Sequence, residues 1–140
     1  MRTIRDGDGR RYVLVKESTD SSLVRDPETG EQRHVPNDDL EPAGGDAPLE
    51  VLATGIPEGA RRVVTACHDD FMVGILVDLA DRGPLAARVM LGAYDTCESD
   101  LLGAVTELRA AGLVAETTVA GERGYALTDT GRTGIEALRD

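Results

Sequence analysis

Cys67-His68-Asp69-Asp70 sets a thiol, an imidazole and two carboxylates side by side. The 140-residue chain has one further cysteine, Cys97, and one further histidine, His34. These side-chain types hold zinc, which favours Cys and His in tetrahedral sets. The spacing argues against that chemistry, because neither a CxxC nor an HxxxH pair occurs. The competing reading places Cys67 on the apolar face of a helix, His68 at its end and Asp70 as the cap of the next helix. No metal and no cofactor is expected. A reducing cytosol would keep both thiols free, so a structural disulfide is not expected either.

Nucleophile chemistry finds no support. GxSxG, HExxH and the phosphate-binding loop are all missing from the sequence. Gly7 and Gly9 precede a hairpin rather than a helix, so they do not form a phosphate cradle. The carboxylate pairs Asp38-Asp39 and Asp69-Asp70 read as solvated surface or helix caps. An enzyme is not expected. Arg10-Arg11 and Arg61-Arg62 could hold a phosphate or an acidic partner; the alternative is ion pairing with neighbouring carboxylates.

Carboxylates are plentiful, at 26 acids against 15 bases, for a formal net charge of −11. That balance speaks against a protein that coats nucleic acid with a broad basic surface. Of the bases, 14 are Arg and only Lys16 is Lys, while 15 Asp outnumber 11 Glu. Many Asp and almost no Lys resemble the cytosolic proteins of organisms living in saturating salt, such as haloarchaea. A dense carboxylate surface stays hydrated, and at about 1 M salt a Debye length of roughly 3 Å screens its self-repulsion. An ordinary acidic protein from a low-salt organism is the alternative. The longest apolar runs are too short to span a bilayer, and no signal-peptide pattern opens the chain. The expected location is the cytoplasm.

The elements that would position these groups change character midway. Residues 1–42 alternate as strands. One hairpin turns at Asp6-Gly7-Asp8-Gly9 and leads into Tyr12-Val13-Leu14-Val15. A second pairs Leu23-Val24-Arg25 with Gln32-Arg33-His34-Val35 across Asp26-Pro27-Glu28-Thr29-Gly30. Residues 43–48 form a Pro/Gly-rich linker. Residues 49–140 then take helical periods. Pro57 starts a helix with Ala60, Val63, Val64 and Cys67 on one face. A second helix carries Met72, Ile75, Leu76 and Leu79 up to Gly83-Pro84. A short helix covers 85–93, and a longer one runs over 98–111 to a stop at Gly112. A hairpin follows around Ala120-Gly121-Glu122-Arg123-Gly124. A last helix begins near Asp129 and buries Ile135 and Leu138. The expected fold is α+β: a small antiparallel β module of two hairpins, then a helical domain with a wing.

The stretch GPLAARVMLGAYDTCESDLLGAVTELRAAGLV, Gly83 to Val114, resembles the helix-turn-helix and exit strand of archaeal and bacterial winged-helix transcription regulators. Glu107-Leu108-Arg109-Ala110-Ala111-Gly112-Leu113-Val114 is similar to the end of their recognition helix. Tyr125-Ala126-Leu127-Thr128-Asp129-Thr130-Gly131-Arg132 is similar to their wing-return strand and following cap. The resemblance covers about residues 69 to 140. The whole chain also resembles small haloarchaeal proteins of unassigned function that join such a domain to an N-terminal β module.

The resemblance implies a winged helix-turn-helix regulator that binds double-stranded DNA, with the 98–111 helix in the major groove. It implies a homodimer, and an N-terminal β module available to a protein partner or a ligand. On the family pattern Ser99, Asp100, Gly103, Ala104 and Thr106 face outward. The expected DNA contacts are Ser99 and Thr106 to bases and Arg88, Arg109 and Arg123, at the wing tip, to the backbone. The outward set lacks the Arg, Lys, Asn or Gln that usually reads base edges. That lack favours an alternative, a winged-helix adaptor that binds protein instead of DNA.

Overall fold

The computed structural model describes Met1–Arg139. The chain divides into two compact units, Met1–Ile56 and Pro57–Asp140.

The first unit is a five-stranded antiparallel sheet in the order β4-β3-β2-β1-β5. Its strands are β1 (Arg2–Asp6), β2 (Arg11–Glu17), β3 (Ser21–Arg25), β4 (Gln32–Pro36) and β5 (Leu40–Pro42). The two hairpins expected from the sequence are present, and β5 adds a second antiparallel partner to β1. Gly9 and Gly30 take positive φ at the two turns, whereas Gly7 does not. One sheet face buries Ile4, Tyr12, Leu14, Val24 and Val35. Helix α1 (Pro48–Ala53) packs against β1 and β2 and buries Val51, so it belongs with the sheet. Its single buried apolar position gave the sequence no helical period to display.

The second unit holds α2 (Glu58–Ala66), α3 (Asp70–Arg82), β6 (Leu85–Ala86), α4 (Ala87–Tyr94), α5 (Glu98–Ala110), β7 (Val114–Val119), β8 (Glu122–Leu127) and α6 (Asp129–Leu138). The core joins Leu76 and Leu79 of α3, Met90 of α4 and Leu101, Val105 and Leu108 of α5 with Leu113, Tyr125 and Ile135. Leu85 and Ala86, expected as the start of a helix, form a short strand on β8 in the sheet order β6-β8-β7. The pairing needs Gly124, where a Cβ would lie 2.4 Å from the Leu85 carbonyl oxygen.

Two caps fix α3 and α5. Asp69, not Asp70, caps α3: its side chain accepts a hydrogen bond from the Met72 amide at 3.0 Å. The capping residue is the one just outside the helix, and Asp70 is already its first residue. At the end of α5, Gly112 takes φ +76, the Leu113 amide donates to Leu108 and the Gly112 amide to Arg109. This pair of bonds is the Schellman stop. The Thr128 hydroxyl then donates to the Gly112 carbonyl and accepts from the Gly131 amide, so one side chain ties the end of α5 to the start of α6.

Helices α2 and α6 pack backbone to backbone, since Gly134 faces the Gly59 carbonyl. Two residues expected to be buried on these helices are exposed, Val64 at 65% and Leu138 at 49%. Both line an open apolar groove of about 330 Å³ together with Val63 and Ile135.

Candidate nucleic-acid interface

Helix α5 exposes three parallel lines of residues. At 100° per residue its buried line is Leu101, Val105 and Leu108. The crest opposite carries Ser99, Gly103, Thr106 and Ala110, all exposed and none charged. Glu98, Leu102 and Arg109 form the flank toward the wing, and Asp100, Ala104 and Glu107 the other flank.

The wing is a tight hairpin. Ala120 and Gly121 both take positive φ, 51° and 80°, as a two-residue turn of the primed kind requires. Strand alternation then gives the wing two faces. Glu116 and Thr118 pair with Tyr125 and Arg123 on one face, and Glu122 lies on the other. Arg123 is therefore a strand residue opposite Thr118, one step back from the tip where the sequence suggested it.

Every arginine expected at this surface meets a wing carboxylate. Arg88, at the start of α4, holds Glu122 through two bonds, Nε to Oε1 at 3.0 Å and Nη2 to Oε2 at 3.1 Å. These bonds lower the Glu122 pKa and raise that of Arg88. Glu116 takes both remaining cations, Arg109 at 3.5 Å and Arg123 at 3.3 Å. Arg123 also donates to the Tyr125 hydroxyl, which together with the nearby charges of Glu116 and Glu98 raises its pKa. All three guanidinium groups remain 43% exposed or more. The two hydroxyls behave differently. Thr106 donates to the Leu102 carbonyl at 2.7 Å, which leaves its oxygen as an acceptor, and Ser99 meets the Cys97 sulfur at 3.4 Å. Sequence reasoning missed Glu116 and Glu122; an acid on each wing strand was the available signal.

The opposite flank lines a cleft of about 350 Å³ with His68, Asp69, Phe71, Met72, Thr96, Asp100, Gly103, Ala104 and Glu107. His68 Nε2 reaches Glu107 at 2.9 Å across it. Cys67 and Cys97 are free thiols, and burial with the Asp69 charge raises the Cys67 pKa. Among the described residues no three His, Cys, Asp or Glu side chains converge to hold a metal. Arg10 pairs with Asp26, Arg11 with Asp46 and Arg62 with Glu58. Among the described residues no helix is long and apolar enough to cross a membrane.

A helical stem that lays α5 beside a two-stranded wing, after an antiparallel β module, defines an α+β chain with a winged helix-turn-helix domain. By sequence the chain belongs to the Family of unknown function (DUF7346), whose model matches residues 1–139. Among solved structures it is similar to an ArsR family transcriptional regulator, at 20% identity and a TM-score of 0.45, covering 59% of this chain and 84% of that one. Among curated proteins no relative matches.

Proposed function

We propose that this protein is a DNA-binding transcription regulator of the winged-helix type, without catalysis, working as a homodimer in the salt-rich cytoplasm of a halophilic archaeon. The observation that carries the reading is the crest Ser99–Gly103–Thr106–Ala110, bordered on its wing side by Arg109 and, through their shared Glu116, by Arg123, with Arg88 paired on the other face of the wing. Small uncharged side chains let a helix backbone sit deep in a major groove, and Ser99 and Thr106 offer hydroxyls to base edges. The arginines flank that line where phosphates would run. Their carboxylate partners are exposed, and exposed ion pairs hold weakly enough to be exchanged.

The test is binding to duplex DNA from upstream of the protein's own gene in molar KCl. A retarded complex that weakens when Arg109→Ala and Arg123→Ala are combined supports the reading. No complex, or binding unchanged by the pair, overturns it. A second reading, a winged-helix adaptor for another protein, is favoured by the acidic cleft beside Asp100 and Glu107. Recovery from native lysate of DNA and no stoichiometric protein would exclude that one. The N-terminal sheet is in either case a module for self-association or for a further protein.

A further inference from the structure

We infer that Glu116 and Glu122 act as a cation-exchange device that reduces the salt dependence of DNA binding by this wing. The inference rests on the DNA-binding reading above.

An arginine that is free in solution and then contacts a phosphate releases about 0.9 of a condensed cation from B-DNA, so affinity falls steeply as salt rises. Here no expected phosphate-contacting arginine starts free. Arg88 starts on Glu122, and Arg109 and Arg123 share Glu116. When phosphates take the three guanidinium groups, two carboxylates lose their counter-charge. Both are more than 40% exposed, so solution cations reach them. Each then recruits a cation from solvent while the DNA gives cations up. The two fluxes oppose each other, so three releases are offset by at most two uptakes and the salt dependence that remains is that of about one contact.

The geometry suits this exchange better than a structural role for the pairs. Glu116 and Glu122 lie on opposite faces of one hairpin, so each side of the wing carries an arginine-paired carboxylate. The 3.3 and 3.5 Å contacts at Glu116 are longer than a tight charged hydrogen bond, and one carboxylate serves two cations. Those are contacts that can open without loss of the hairpin ladder, which runs unbroken from Val114–Leu127 to Val119–Glu122.

The experiment is fluorescence anisotropy with a labelled duplex from upstream of the protein's own gene, titrated with wild type and with Glu116→Gln/Glu122→Gln from submolar to molar KCl. The expected wild-type plot of log affinity against log salt is shallow. The double variant binds more tightly at low salt and has a slope more negative by up to about 2, one cation at most for each of the two carboxylates that no longer recruits one. Arg88→Ala supplies an independent check. It removes one release and one uptake together, so affinity drops and the slope stays close to that of wild type. Parallel slopes for wild type and the double variant overturn the exchange while leaving DNA binding intact. No binding by any of the proteins at any salt overturns the DNA-binding reading and the exchange with it.

Discussion

Arg88 and Glu122, 34 residues apart, meet through two parallel hydrogen bonds that join the start of α4 to the first residue of β8. Such a fork fits a carboxylate and a phosphate equally well, which is why arginine serves both. The pair is open to solvent, with Arg88 73% exposed. Glu122→Gln should therefore leave the melting temperature unchanged. Differential scanning calorimetry checks this. A drop as large as that of a core truncation would show that the pair holds the wing in place.

Helix α2 rests on α6 through glycine. A Cβ at Gly134 would lie 2.4 Å from the Gly59 carbonyl oxygen, a distance that side-chain carbons do not tolerate. Gly134→Ala should destabilise the second unit by about 1–3 kcal/mol through forced separation of the helices. Urea unfolding reads this as a lower midpoint at unchanged slope. Gly103→Ala, which opens onto empty space on the crest of α5, should not destabilise the fold.

The cap of α3 distinguishes two adjacent aspartates. Asp69→Ala removes the acceptor of the Met72 amide and should cost about 1 kcal/mol. Asp70→Ala lacks that bond and should cost clearly less. Equal losses at the two positions in chemical denaturation would refute this assignment of the cap.

Tyr94 donates its hydroxyl to Asp78 at 2.7 Å. Burial, together with that bond and the Asp78 charge, raises its pKa far above the ordinary 10.0. In the unfolded chain the phenol loses its proton near the ordinary value, while the folded protein retains it. The stabilisation is thus fully present below about pH 10 and declines as pH climbs beyond it. Tyr94→Phe should lower stability by about 1 kcal/mol at neutral pH and flatten the decline above pH 10. Denaturation midpoints measured across that range for both proteins decide the matter.

Much of this architecture was legible because its signals are local. Gly30 and Gly112 announced a turn and a helix stop, and both take the positive φ expected of them. The period of Met72, Ile75, Leu76 and Leu79 gave α3, and all four are buried. What escaped depends on partners distant in sequence. Leu85 and Ala86 become a strand only because Gly124 admits them. Val64 and Leu138 fit an apolar period, yet they line an open groove and stay exposed. At the interface, the arginines could be chosen by residue type and family pattern. Their partners could not, because which face a wing glutamate occupies is unknown until the turn fixes the hairpin register.

The two-residue turn at Ala120-Gly121 also constrains how this protein can change over evolutionary time. Side chains alternate along a strand with a period of two, so inserting or deleting one residue within β7 or β8 would send Glu116, Arg123 or Glu122 to the wrong side. Only changes of even parity keep all three charge pairs in phase. Relatives should therefore differ in wing length by two residues or not at all, and an odd step should appear only together with the loss of a glutamate.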